Sequence, residues 1–192
     1  MINKAIVFLN QQINDNLKLV QDQDPSIDKI VLDNVVDQDG KVNINANTLK
    51  LTLVNIEEEF AIQPNRTFVK QENGSLGKLN PSLHLNLYLL ITAHFKDYNE
   101  ALKFLSYVIA FFQTKNTFRK DNTPELEVLG VERIEVKLFK NSFELQNQLW
   151  GALGAKYMPS VMYKMGIIQI QNEQITESIP LVESLNTNLT KL

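Results

Sequence analysis

The 192-residue sequence predicts an α+β fold, in which a mainly antiparallel sheet of about five strands is flanked by helices. Five segments are β-prone, and most of them alternate apolar and polar residues as strands do. Three other segments carry apolar residues three and four positions apart, which is typical of amphipathic helices. Because 44% of the residues are hydrophobic and only 21% are charged, the chain can bury a sizeable core. We expect one domain over residues 1–171 and a short polar tail over residues 172–192.

The first third of the chain is predicted to hold one helix and two strands. The helix has about five turns, and its apolar stripe consists of Ile2, Ile6, Leu9, Ile13, Leu17 and Val20. A β-prone run over residues 30–36 is followed by a tight turn at Gly40. Alternation over residues 48–54 predicts the next strand, which ends at a run of three glutamates that begins at Glu57.

The middle of the chain is predicted to hold a loop, a strand and a helix. Residues 64–81 are rich in proline, glycine and asparagine, so we expect a surface loop. Residues 83–91 alternate most clearly, and we place this strand in the centre of the sheet. Asp97 can cap the next helix, which is apolar around most of its girth. Such a helix must be buried on two sides, either beneath the sheet and a second helix or against another subunit.

The last third predicts two strands and one helix. Residues 133–139 alternate and give a strand with a charged outer face. Ser142 is the predicted N-cap of the following helix, and Gly154 is its predicted stop. Residues 161–170 predict a final strand with apolar residues on both faces.

The composition argues against several classes of function. The net charge is −3 and no basic block is present, which argues against nucleic-acid binding. The sequence has no cysteine, so disulfides, thiolate metal sites and cysteine nucleophiles are excluded. The longest apolar run, residues 108–112, is far shorter than the about 20 residues that span a bilayer, so no membrane insertion is expected. A signal peptide is also not predicted, and we expect synthesis into the cytosol.

No motif predicts a catalytic, cofactor or metal site. His84 and His94 share one face of a strand but lie ten residues apart, too far to bind one metal, which favours a hydrogen-bonded structural role. Along a strand, Glu58 faces away from Glu57 and Glu59. The glutamates therefore predict a solvated strand end or a charged docking surface rather than an acid/base pair. We expect no cofactor and no enzymatic activity.

Three stretches carry a resemblance to a known family. They are residues 53–59 (LVNIEEE), residues 83–105 (with LHLNLY, AHF and YNEALKFL) and residues 143–160 (FELQNQLWGALGAKYMPS). Together they resemble the N-terminal domain of the tail-terminator or cap proteins of extracellular contractile injection systems, the phage-tail-like particles of the antifeeding-prophage and virulence-cassette type. The resemblance runs in order from Ile2 to Gln171, and the string LWGxLGxKYxPS is specific to it.

The resemblance implies a structural protein with a phage tail-terminator-like fold. It implies a hexameric ring on the far end of the contractile sheath and inner tube, which ends polymerisation and fixes length. The implied partners are further copies of the chain and the sheath and inner-tube proteins, with assembly in the bacterial cytoplasm into a released or anchored particle. Some relatives carry a longer C-terminal extension. Two alternatives stay open: an adaptor or cargo-loading protein of the same particle, and a small-molecule-binding cytosolic domain.

The implied terminator role predicts which surfaces of the chain make contacts. A sheath or tube ring ends with unpaired strand edges and apolar docking surface, which a terminator would satisfy. We expect ring contacts from the apolar helix after Asp97 and from residues 150–159, and docking through residues 61–80. The candidate interface residues are Glu57, Glu58, Glu59, Tyr98, Phe111, Phe112, Trp150, Lys156, Tyr157 and Pro159.

Overall fold

The computed structural model describes residues 2–21, 28–37, 39–42, 47–59, 68–70, 76–79, 84–169 and 175–179. The helices among these residues are α1 (Ile2–Gln21), α2 (Tyr98–Thr114), α3 (Glu125–Leu129) and α4 (Phe143–Ala152). The strands are β1 (Ile30–Leu32), β2 (Thr48–Glu58), β3 (Phe68–Lys70), β4 (Leu76–Leu79), β5 (His84–His94), β6 (Thr117–Arg119), β7 (Val131–Leu138), β8 (Ser160–Gln169) and β9 (Ile175–Ile179).

A six-stranded sheet is the centre of the fold, with the strand order β1-β2-β5-β8-β7-β6. Its neighbouring strands are antiparallel except for β1 and β2, which are parallel. The predicted α+β class and mainly antiparallel sheet are therefore confirmed, and the strand with the clearest alternation lies inside the sheet as expected. The additional strand β6 has only three residues, too few to show an alternation in the sequence.

Helix α1 covers one face of this sheet, which we call the helix face. The middle of its apolar stripe is buried in the main core at Ile6, Leu9, Ile13 and Leu17. Val20 in the last turn is 50% exposed, so the stripe ends earlier than the sequence suggested. The helix is held by the packing of one face, as the three- and four-residue spacing of its apolar residues predicts.

Helix α2 lies against both β5 and α1. Its buried residues are Ala101, Phe104, Leu105, Val108, Phe111 and Phe112. The burial on two sides that the sequence required is thus provided within the chain, by the sheet and a second helix. Asp97 caps this helix as predicted, since its carboxylate accepts a hydrogen bond from the backbone N–H of Asn99 at 2.8 Å.

Helix α4 packs on part of the opposite face of the sheet. Ser142 is its N-cap as predicted, because its hydroxyl accepts a hydrogen bond from the backbone N–H of Leu145 at 3.2 Å. Gly154 follows the helix with a φ of 65°, a left-handed conformation that favours glycine and ends the helix. Within α4, Trp150 is the buried residue, and it packs with Leu90 and Met162 of the sheet in a second, smaller core.

Strands β3, β4 and β9 form a second sheet in that order. The predicted loop and the predicted polar tail both contain strands of this sheet. Residues 64–81 were expected to be a loop, yet residues 68–70 and 76–79 are strands, and part of the expected polar tail, residues 175–179, is a strand as well. Each strand is short, and β4 pairs with a segment about a hundred residues away, which no local pattern reveals. The other residues of the expected loop and tail lie outside the described residues, and the boundary at residue 171 stays a prediction.

A β-bulge changes which way the end of β2 faces. Leu53 pairs with Leu89 and Asn55 pairs with Tyr88, so Val54 is the extra residue. Because one extra residue reverses the alternation, every later side chain of β2 faces opposite to the simple pattern. The strand also runs through Glu58, beyond its predicted end.

Candidate functional site

An asparagine closes the outer edge of β1. Asn14 of α1 is buried, and its side-chain oxygen accepts hydrogen bonds from the backbone N–H groups of Lys29 at 2.9 Å and Ile30 at 3.0 Å. Its side-chain nitrogen donates to the carbonyl of Ile30 at 2.8 Å. The amide thus replaces a neighbouring strand at Ile30. Since an open sheet edge invites another chain, this contact hinders strand addition at Ile30.

A second asparagine closes the opposite edge of the same sheet. The backbone N–H of Arg119 in β6 donates to the side-chain oxygen of Asn122 at 3.0 Å, and the backbone N–H of Asn122 donates to the carbonyl of Arg119 at 3.0 Å. The hydroxyl of Thr123 donates to the same side-chain oxygen at 2.9 Å. Both outer strands have only three residues, and a side chain caps each of them at one residue. Both features limit pairing with another chain at either edge of the sheet.

The outer edge of β2 continues beyond the end of β1. Strand β1 pairs with β2 only as far as Leu51, and the backbone N–H of Asp33 donates to the carbonyl of Leu51 at 3.3 Å before the chain leaves the sheet. Among the described residues, no backbone hydrogen bond reaches the outer edge of residues 53–58. This stretch has the length of a typical strand.

Glu57 and Glu58 lie at this edge and face opposite ways. Glu57 accepts hydrogen bonds from the hydroxyl of Tyr88 at 2.7 Å and from the side-chain amide of Asn55 at 3.2 Å. The hydrogen bond to Glu57 raises the pKa of Tyr88, because it stabilises the protonated hydroxyl. Glu58 is exposed and pairs with Leu85 on the helix face. The predicted opposition of these two carboxylates is confirmed.

Glu59 belongs to a charged pocket on the face opposite the helix face, in the part that α4 leaves uncovered. It accepts a hydrogen bond from the side-chain amide of Asn86 at 3.0 Å and lies 3.6 Å from the ammonium of Lys164. The pocket has a volume of about 340 Å³. Its charged lining residues are Glu59, Arg133, Glu135, Lys137 and Lys164.

The charges of this pocket are largely paired with one another. Glu135 binds Arg133 at 2.8 Å and Lys137 at 3.1 Å. The hydrogen bond from Lys137, followed by the positive charges of both partners, lowers the pKa of Glu135 although burial opposes the shift. The pocket therefore offers a polar surface of mixed charge rather than a strongly basic or acidic site.

The two histidines have no shared site. They lie at opposite ends of β5, as the sequence indicated. His94 is fully buried, and its Nε2 lies 2.8 Å from the hydroxyl of Thr92, in agreement with a structural role. Burial, and then the positive charge of Lys50, lower the pKa of His94 to about 4, while Asp33 opposes the shift. His84 lines the charged pocket.

The remaining predicted interface residues divide into buried and exposed ones. Phe111, Phe112 and Trp150 are buried in the cores of the chain, so their side chains support the surface from beneath and do not form it. Their burial argues against the prediction that these three side chains contact a neighbouring protein directly. Tyr98 and Tyr157 are each 63% exposed.

The segment after α4 carries the other predicted residues. The ring of Tyr157 lies 5.6 Å from that of Trp150 in an edge-to-face arrangement. Lys156 is exposed, and the carbonyl of Pro159 accepts a hydrogen bond from the backbone N–H of Ala93 at 3.0 Å. This contact ties the specific LWGxLGxKYxPS segment to the central strand β5. A contact role for the exposed members stays a prediction.

An apolar surface at the start of α4 was not predicted. Phe143 is 88% exposed, and Leu138 at the end of β7 is 62% exposed. Leu145 is partly exposed and lines a groove of about 370 Å³ between α4 and the bulge of β2, which also includes Glu57. The sequence placed Phe143 among the apolar residues of this helix, where aromatic side chains belong to the core or to an interface, and the structure leaves it exposed. Exposed large apolar side chains mark interaction surfaces when they cluster.

The described residues contain no group of three or more His, Cys, Asp or Glu side chains placed to hold a metal ion. None of the described helices has the length and apolar character of a membrane span. What these residues do provide is a sheet whose two outermost strands are each capped at one residue, an open stretch of edge along the end of β2, and two exposed surfaces of different character.

The fold is similar to two solved structures of terminating proteins. One is the sheath/tube terminator of the PVC extracellular contractile injection system in its extended state, with 15% identity and a TM-score of 0.58 over 94% of this chain and 63% of that chain. The other is the tube-terminating cap of the anti-feeding prophage, with 17% identity and a TM-score of 0.58 over 95% of this chain and 61% of that chain.

The chain thus spans less than two thirds of the length of either solved protein. No curated protein sequence matches it. The Pvc16 N-terminal domain family matches residues 6–184, which is nearly the whole chain. With the resemblance of its sequence motifs and the likeness of its fold, this match establishes that the chain belongs to the Pvc16 N-terminal domain family.

Proposed function

We propose that this protein is a structural terminator, or cap, of a contractile injection system. It binds the distal end of the sheath and inner tube as a hexameric ring, ends their polymerisation and thereby fixes the length of the particle. The observation that carries this proposal is the family match over residues 6–184. The likeness in fold to a sheath/tube terminator and to a tube-terminating cap supports it.

The capped edges of the sheet give a physical reason why growth would end at this protein. A repeating array continues when each subunit offers the next one the same open surface. Here Asn14 and Asn122 occupy outward backbone groups of Ile30 and Arg119 in the two outermost strands. A ring built from such subunits can bind the layer below through its remaining surfaces and offers only short, partly capped edges to a layer above.

The surfaces assigned to these contacts are the exposed ones. Docking uses the end of β2 at Glu57 and Glu58, and ring contacts use the exposed side chains near Tyr98 and Tyr157. The partners are other copies of the chain and the sheath and inner-tube proteins, with no role for nucleic acid, membrane insertion, a cofactor or catalysis. Assembly takes place in the bacterial cytoplasm before the particle is released or anchored.

Electron microscopy of particles from a strain that lacks the gene tests this function. We expect overlong, ragged or unassembled sheaths, and rescue by the wild-type copy. Particles of normal length with a normal distal end would reject the terminator function. If such particles were normal in shape but empty of cargo, the protein would be an adaptor or loading factor instead.

A further inference from the structure

We propose that the open edge of β2, residues 53–58, binds an extended segment of another protein of the particle as an added strand. The segment would carry apolar and basic side chains in alternation. This inference rests on the proposed terminator function and specifies how the chain holds its partner. It starts from the backbone, since strand addition depends on main-chain hydrogen bonds.

The direction of the backbone groups follows from the pairing with β5. The backbone N–H of Glu59 donates to the carbonyl of His84 at 2.9 Å, so the groups of Glu59 face inward. Because N–H and C=O groups of successive residues alternate in direction along a strand, the groups of Glu58 and Ile56 face outward. These are the groups that an added strand would bind.

A groove beside this edge can receive the side chains of an added strand. It has a volume of about 470 Å³ and lies where β1 ends and β2 continues. Its apolar lining includes Ile2 and Ile6 of α1 and Leu53 of β2. Leu32 is 42% exposed and Ile56 is 45% exposed, so apolar surface is left in contact with water on the helix face. Every second side chain of an added strand would cover this surface.

The charge of the edge selects a basic partner. Glu57 and Glu58 present one carboxylate on each face of the strand, and neither has an ion pair with another described residue. Lysine or arginine on the added strand would lie beside them, where opposite charges across a strand pair are favourable. A second copy of this chain fits less well, because its own open edge of β2 carries the same two glutamates, and like charges across a strand pair are unfavourable.

Two variants separate the backbone contribution from that of the side chain. Ile56→Pro removes the outward N–H of Ile56, a position where proline is tolerated because the group does not bind β5. Ile56→Ala removes the same side chain and keeps the N–H. We expect Ile56→Pro to lower the fraction of capped particles at least tenfold, whereas Ile56→Ala keeps at least half of them. Thermal melting of both chains shows whether each is folded. If Ile56→Pro does not fold, Glu58→Pro is compared with Glu58→Ala, because both variants lack the carboxylate and only the proline variant lacks the N–H.

Hydrogen exchange followed by mass spectrometry measures the edge directly. We expect peptides over residues 53–58 to exchange at least tenfold more slowly in purified particles than in the isolated chain. Slow exchange in the isolated monomer would show that the chain covers its own edge and would overturn the proposal. Slow exchange that arises only with self-assembly of the isolated chain would assign the edge to a second copy and overturn it too. Equal exchange in the particle and the isolated chain would show that the edge is not used.

The deletion strain keeps this inference separate from the function on which it rests. Overlong particles without the gene, together with an unprotected edge in particles that contain the protein, would reject strand addition alone. Particles of normal length without the gene would reject the terminator function.

Discussion

Asn14 stabilises the fold through three hydrogen bonds to backbone groups, and the two that bind Ile30 are buried. Replacing it by leucine keeps the size of the side chain but leaves the N–H and C=O of Ile30 unpaired. A buried polar group without a partner costs about 1–3 kcal/mol. We therefore expect Asn14→Leu to lower the free energy of unfolding by about 2–4 kcal/mol, measured by urea denaturation.

The exposed Asn3 of the same helix provides the control for this change. Asn3→Leu alters an asparagine on the solvent side of α1 and should change the free energy of unfolding by less than about 0.5 kcal/mol. Equal effects of the two variants would show that the contact of Asn14 with the strand edge does not stabilise the protein.

His94 makes the stability depend on pH. Its pKa is about 4 in the folded chain, against 6.5 for an ordinary histidine, because burial disfavours the charged ring. Below pH 6.5 the unfolded chain binds a proton that the folded chain does not, so stability falls as the pH drops from about 6.5 to 4 and is fully present above that range. The loss attributable to this residue is up to about 3 kcal/mol.

Two measurements check the contribution of His94. The imidazole should titrate near pH 4 in the NMR spectrum of the folded protein. The variant His94→Gln should unfold with a weaker dependence on pH between 4 and 6.5 than the wild type. A midpoint near the ordinary value would contradict the buried, neutral state of the ring.

At the level of elements, α4 is attached to the sheet mainly through one side chain. Trp150 is 5% exposed, whereas Phe143 in the first turn of the same helix is 88% exposed. Trp150→Ala should therefore lower the free energy of unfolding by about 3–5 kcal/mol. The removal of an exposed aromatic ring by Phe143→Ala should leave stability within about 0.5 kcal/mol.

Chemical denaturation of the two variants compares these effects, and electron microscopy shows whether each caps particles. We expect poor capping by Trp150→Ala to follow from its instability. A capping defect of Phe143→Ala with normal stability would assign the exposed start of α4 to an interface. If Trp150→Ala were as stable as the wild type, α4 would not be held by its tryptophan.

The elements that the sequence predicted are those with local signals. The apolar stripe of α1, the cap at Asp97 and the alternation of β5 depend on near neighbours in the chain, and all three are present in the structure. The pairing of β4 with β9 depends on residues about a hundred positions apart and has no local signal. The bulge at Val54 is of the same kind, because an extra residue is recognised only against its partner strand.

The candidate site was predictable only in part for the same reason. The glutamates at the end of β2 were visible as a run of like charges, but their open edge follows from where β1 ends. The apolar girth of α2 indicated burial on two sides without indicating what would bury it. Phe111 and Phe112 were therefore assigned to a neighbour, whereas the chain itself covers them.

At the scale of the whole molecule, the two sides of the main sheet differ in the edge that they expose. One side of the sheet ends in β6, whose capped edge is next to the exposed Glu132 of β7. The other side ends in the open edge of β2 with Glu58. A capping surface that has one location on this molecule should respond to a charge change there and not to the same change on the opposite side.

Glu58→Lys and Glu132→Lys make this comparison with the same change of charge on two exposed strand residues. Both should keep the stability within about 0.5 kcal/mol of the wild type, because surface charges contribute little. We expect Glu58→Lys alone to give overlong or uncapped particles when it replaces the wild-type copy, since a basic side chain would repel the basic partner. Electron microscopy of particle lengths measures the effect, and higher salt during assembly should weaken it by screening the repulsion. Normal lengths with Glu58→Lys, or equal defects with both variants, would place the capping surface elsewhere on the molecule.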